Sequence, residues 1–118
     1  MAEQQSHLSV SEREGVTVVE FANRKILDEL CISEIREELT ELVKGKDGLK
    51  LVLSFKNVEH LSSAALGVLI TLNKQVGEQG GHLKLSDITP QILEVFKITR
   101  LNKLFDICNS AEEARHGF

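Results

Sequence analysis

The chain has no tryptophan and no tyrosine; five phenylalanines are its only aromatic residues. Surfaces that stack nucleic-acid bases are built from aromatic side chains, so base stacking is not expected. Positive charge is also scarce: 14 Lys and Arg stand against 18 Asp and Glu, a formal net charge of −4. That balance disfavours nucleic acid as a partner, because phosphate-backbone binding needs a clustered basic surface. Long apolar runs are missing too. The longest, Ala64 to Ile70, is far short of the roughly 20 residues that cross a bilayer, so no membrane insertion is expected. Met1 to His7 carry neither a basic stretch nor an apolar core of the secretory kind, and a cytoplasmic location is the default expectation. Cysteine is rare. Cys31 and Cys108 form no CxxC, and no histidine stands at ligand spacing from either; both are expected as buried free thiols, with no metal site and no cofactor. Pro90 is the single proline, and no repeat or linker-like tract interrupts the chain.

What is present is the patterning of one α/β domain. The 118 residues are 42% hydrophobic and 27% charged, and a chain of this size buries about two thirds of its unfolded surface without staples. Leu8 and Val10, then Val16 and Val18, alternate with polar neighbours around Glu14-Gly15, which predicts a hairpin with strands near 7–13 and 16–22. From about Cys31 the period lengthens: Ile32, Ile35, Leu39, Leu42 and Val43 form one helical stripe, stopped by Lys44-Gly45. Leu49 to Phe55 reads as a buried strand and Asn57 to Leu61 as a loop. A helix follows from Ser62-Ser63 to Gly77 or Gly80-Gly81, then a strand from His82 to Ser86. Thr89-Pro90 reads as an N-cap followed by proline at the first helical position, opening a helix through Ile92, Val95 and Phe96 to about Thr99. Leu104 to Cys108 suggests a last strand, and Ser110 with Glu113 a capping box for a terminal helix. The order predicts a mixed central sheet of about four to five strands with about four helices and right-handed crossovers. The whole chain is expected to form a single domain, with its core at about 7–115.

Chemistry is sparse. Of His7, His60, His82 and His116, only His60 lies near candidate nucleophiles, Ser62 and Ser63, and no GxSxG elbow surrounds them. No phosphate-cradling GxxxxGK[ST] or GxGxxG is present, and Gly77, Gly80 and Gly81 follow a helix instead of opening one. The informative segment is Val58 to Leu69, where two hydroxyls stand at the entry to a helix. One serine is explained as a cap. The other has two readings: an incidental residue, or a phosphorylation switch. A phosphate is tolerated at a helix N-terminus and brings about −1.5 to −2 charges to any contact made there.

The segment Leu61-Ser62-Ser63-Ala64-Ala65-Leu66-Gly67 resembles the signature of the STAS domain family of bacterial anti-sigma factor antagonists, Asp-Ser-Ser-Gly-Leu-Gly or its variant Ile-Ser-Ser-Ala-Gly-Leu. Leu51 to Phe55, Gln79 to Leu85, Ile88-Thr89-Pro90 with Val95-Phe96, Leu101 to Asp106 and Leu27-Asp28 are each similar to other parts of that family, so the likeness spans nearly the whole chain. Aligned on Leu66-Gly67, Ser63 takes the place of the family's phosphorylated serine. Ser62 stands for the frequent Asp, Ala65 for Gly, and Arg24-Lys25-Ile26 for the Gly before Leu27-Asp28. The resemblance implies a binding protein without catalysis. Its implied partners are an anti-sigma factor that is also a GHKL-type serine protein kinase, and a PP2C-type phosphatase. The implied docking rim is Asp28, His60, Leu61, Ser62, Ser63 and Ala64, with Lys56, Asn57 and Glu59 as weaker members. An alternative within the same family is a scaffold subunit of a stress-signalling complex or of a lipid-transport ATPase complex.

Overall fold

The computed structural model describes residues 8–118. His7, at the start of the first expected strand, and the N-terminal residues read for a leader lie outside them. The strands are β1 (Leu8–Arg13), β2 (Val16–Phe21), β3 (Lys25–Ile26), β4 (Lys50–Ser54), β5 (His60–Leu61), β6 (His82–Ser86) and β7 (Asp106–Cys108). The α-helices are α1 (Glu29–Val43), α2 (Ser63–Glu78), α3 (Pro90–Ile98) and α4 (Ala111–His116).

β1 and β2 form the hairpin, turned by Glu14 at φ 55° and Gly15 at φ 83°. Two consecutive positive φ values suit the twist of a two-residue hairpin. β2, β4, β6 and β7 run parallel, and the five-stranded order is β1-β2-β4-β6-β7. Each crossover steps to the next strand in the same direction. Right-handed connections then place α1, α2 and α3 on one face. Their stripes meet there: Ile35 and Leu39 of α1, Leu66 and Leu69 of α2, and Ile92 and Phe96 of α3 join Leu51, Leu53 and Leu85 of the sheet in one core. The other face is covered by α4, whose Ala114 packs with Val16, Val18 and Val52.

Two ends follow the sequence reading closely. The Ile92 amide donates to Thr89 Oγ1 at 3.3 Å with Pro90 at the helix start. The Glu113 amide donates to Ser110 Oγ at 3.1 Å, while Glu113 Oε1 accepts from the Asn109 amide, one residue earlier than an ideal capping box.

Four expectations need correction. α1 begins at Glu29, because Asp28 is the extended cap residue, at φ −90° and ψ 155°. Asn57 to Leu61 is not all loop: His60–Leu61 pairs in parallel with Lys25–Ile26 as a separate two-stranded ribbon. The last strand is only Asp106–Cys108, since Arg100 at φ 64° turns the chain into a 3₁₀ turn over Leu101–Lys103. Of that segment, Phe105 is the residue that enters the core, 5.8 Å from Phe96 between ring centroids. Cys31 is buried as expected, but Cys108 is half-buried. Burial, followed by neighbouring carboxylates, pushes both thiols up, so both stay protonated near neutral pH.

Candidate functional site

The Ser62-Ser63 segment leaves the carboxyl end of β4, where ligand and partner sites of parallel sheets gather. Phe55 and Val58 are fully buried and pin the start of the connection. Asn57 Nδ2 donates to the Phe21 carbonyl at 3.2 Å. The Glu59 and His60 amides both donate to the Arg24 carbonyl, at 2.7 and 3.1 Å, and the Ser62 amide donates to the Ile26 carbonyl at 3.1 Å. Arg24-Lys25-Ile26, where the chain departs from the pattern it resembles, is thus the segment that holds the serine loop, through the Arg24 carbonyl and β3. Its parallel register brings the Leu27-Asp28 exit beside the Ser62-Ser63 exit.

The two serines do different things. Ser62, at φ −83° and ψ 166°, is the N-cap of α2, and its Oγ accepts from the Ala65 amide at 3.2 Å. Ser63 is the first helical residue and is exposed. Among the described residues no hydrogen bond engages its hydroxyl. Ala65 and Leu66 turn inward and anchor the first turn. The Ala65 methyl lines a small apolar cavity of about 10 Å³, walled by Phe21, Ile26, Phe55, Leu61 and Leu69 among others. The methyl that replaces a family glycine therefore fills the interior and leaves the outer face of the helix tip clear.

A stability difference follows. Removing a serine cap typically costs ~1 kcal/mol. Ser62→Ala should therefore lower the melting temperature by ~4 °C. Ser63→Ala, which loses no bond seen here, should change it by less than ~1 °C. Calorimetry on the two single variants checks the assignment; equal shifts would contradict it.

Around this tip, Asp28, Glu59, His60 and Ala64 are exposed, Leu61 and Ser62 are half-buried, and Lys56 and Asn57 are exposed at the rim. The structure brings these residues to one pole. The sequence reading missed two neighbours, Leu27 and Leu30, which are 50% and 66% exposed. Leu30 falls off the stripe of Cys31, Ile32 and Ile35, and that mismatch was its available signal. Also missed was a brace beneath the site. Asp87 Oδ2 accepts from Ser54 Oγ at 3.1 Å and Ser86 Oγ at 2.9 Å, locking the ends of β4 and β6 together. Both serines are buried, and Asp87 adopts φ 58°.

A nucleophile–base pair is not assembled here. No hydrogen bond joins His60 to Ser62 or Ser63 among the described residues, and the Ser62 oxygen is occupied by the cap. Among the described residues there is no cluster of three or more metal-ligating side chains, and no helix is long and apolar enough to cross a membrane.

A family model described as the STAS domain matches residues 7–114. The anti-sigma-B factor antagonist of Bacillus subtilis (strain 168) is 30% identical over 106 residues, covering 90% of this chain and 94% of that protein. The anti-sigma F factor antagonist of Paenibacillus polymyxa is 23% identical over 107 residues, covering 91% and 90%. The structure of an anti-sigma-factor antagonist (STAS) domain protein from Planctomyces limnophilus shares the fold with a TM-score of 0.83, at 21% identity over 94% of this chain and 96% of that one. The phosphorylated form of the Bacillus cell fate determinant SpoIIAA does so with a TM-score of 0.69, at 15% identity over 92% and 96%.

Proposed function

The chain belongs to the STAS domain family, and from that footing we propose that it is an anti-sigma factor antagonist switched by phosphorylation of Ser63. The observation that carries the reading is the division of labour at the tip of α2: Ser62 caps, and Ser63 presents an exposed hydroxyl at the helix start. Unmodified, the pole formed by Asp28, His60, Leu61, Ser62, Ser63 and Ala64 docks on an anti-sigma factor, which lets go of its sigma factor. Lys56, Asn57, Glu59, Leu27 and Leu30 extend that contact. The partner is also a GHKL-type serine protein kinase. It transfers the terminal phosphoryl group of ATP to Ser63 Oγ, the hydroxyl proton is released, and ADP leaves. A PP2C-type phosphatase hydrolyses the ester and restores the hydroxyl. The protein itself is substrate and binding module, acts in the cytoplasm, and uses about residues 7–115 as one domain.

The physical logic is economical in movement. A helix start carries unpaired N–H groups and partial positive charge, so the fold tolerates a phosphate there. A partner that has desolvated the same spot does not.

The test is phosphorylation with the cognate kinase and ATP, read by intact-protein and peptide mass spectrometry. One phosphate, mapped to Ser63 and abolished by Ser63→Ala, is the expected result. Phosphate on Ser62, or none, would remove the reading. A large particle in light scattering would favour the scaffold-subunit alternative.

A further inference from the structure

We propose that β1 is a self-complementary edge through which two copies of this chain join their sheets. Among the described residues β1 is the outer strand of the five-stranded order, and the strand it pairs with is β2. It is six residues long, has no proline, and is exposed over Ser9 to Arg13. Edge strands are normally protected by brevity, charge or proline. β7, the opposite edge, follows that rule with three residues and an exposed Asp106. β1 does not: its charges, Glu12 and Arg13, lie at the turn end, and Val10 is 49% exposed at its centre.

Backbone geometry gives the register. The two-residue turn makes Arg13↔Val16 a hydrogen-bonded pair, and alternation makes Ser11↔Val18 and Ser9↔Glu20 the next ones. The main-chain groups of Val10 and Glu12 therefore point away from the sheet. An antiparallel second copy centred on Val10 sets Val10 against Val10, with each N–H donating to the other's carbonyl. The same register sets Ser9 against Ser11 and Glu12 against Leu8, so among the described residues no like charges meet. Because Val10 stands opposite Val19, which is in the main core, its side chain lies on the face that carries α1 to α3. The two-fold axis is perpendicular to the sheet. Both helical layers then share one side, and the two Ser63 poles point in opposite directions and stay exposed.

Edge pairing of two six-residue strands buries less than the ~1,000 Å² of a stable interface, so the association is weak and concentration-dependent. Sedimentation velocity at ~100 µM protein, within the range of such weak contacts, should show a monomer–dimer equilibrium. Val10→Pro removes an amide that takes no part in the β1–β2 ladder. It should weaken dimerisation at least ~10-fold, because each copy loses an intermolecular donor. Disulfide trapping fixes the register independently, in a Cys108→Ser background. Val10→Cys should crosslink readily, since Cα atoms of a hydrogen-bonded pair lie ~5.5 Å apart, within disulfide range. Glu12→Cys should not. A wild type that sediments as a monomer, a Val10→Pro variant that pairs like wild type, or equal crosslinking at both positions would overturn the proposal. A monomer would leave this edge to an extended strand from a different protein.

Discussion

Ser63→Asp is expected to bind the anti-sigma partner at least ~100-fold more weakly than the unmodified protein, while Ser63→Ala keeps near wild-type affinity. The aspartate adds one negative charge to a chain already at −4 and, in the proposed docking, puts it where the partner excludes water. Like-charge juxtaposition or uncompensated desolvation there costs several kcal/mol, and about 2.7 kcal/mol already corresponds to the hundredfold change. The fold responds in the opposite sense. An acid in the first turn is favoured by the helix dipole by roughly 0.3–1 kcal/mol. Ser63→Asp should therefore melt at or slightly above the wild-type temperature, which separates lost binding from lost folding. Titration calorimetry with the purified partner reads the three affinities; if all three forms bind alike, Ser63 is not a switch. A true phosphoserine, with about −1.5 to −2 charges, should show the larger effect.

How much of this was legible before the structure depends on the range of the interaction that decides each feature. Local chemistry was readable. Thr89-Pro90 and Ser110 open their helices through bonds spanning three residues, and both stand as their spacing predicts. The mixed sheet followed from a hairpin and then strands alternating with helical stripes. The β3–β5 ribbon was not readable, because two-residue strands have no periodicity and exist only by pairing across a long sequence separation. Leu104 to Cys108 misled for a related reason. Its apolar residues suggested a strand from Leu104, yet Leu104 is 48% exposed and Phe105 is buried in the core after a left-handed Arg100, so pairing starts only at Asp106. At the site, sequence placed both serines at the helix entry without saying which one caps. That choice is made by the extended backbone of Ser62. The direction of the Ala65 methyl, inward to the apolar cavity, was likewise a matter of helix phase.

The largest expected loss of stability comes from Gly81→Ala, about 3 kcal/mol or more in urea denaturation. Gly81 joins the end of α2 to the start of β6. Its amide donates to the Val76 carbonyl at 2.8 Å, and the next amide, His82, donates to the Leu49 carbonyl at 2.8 Å. A methyl at this position would stand 2.5 Å from the Leu49 oxygen, 2.8 Å from the Leu49 nitrogen and 2.9 Å from Val76 Cγ1. Two of the three obstacles are backbone atoms, and no rotamer change moves them. Relief requires parting the first residues of β4 and β6, where Lys50 pairs with His82. The adjacent Gly80 is needed for a different reason. It adopts φ 77° with no atom within 4 Å of an added methyl, so Gly80→Ala should cost only the ~1 kcal/mol of a left-handed alanine. A single-domain protein has ~5–15 kcal/mol in total. The first variant should therefore lose a large part of its stability at 37 °C and the second little. The damage lies at the end of α2 far from Ser63. Folded Gly81→Ala protein should consequently accept phosphate at Ser63 like wild type, and equal destabilisation by the two substitutions would refute the close approach at Gly81.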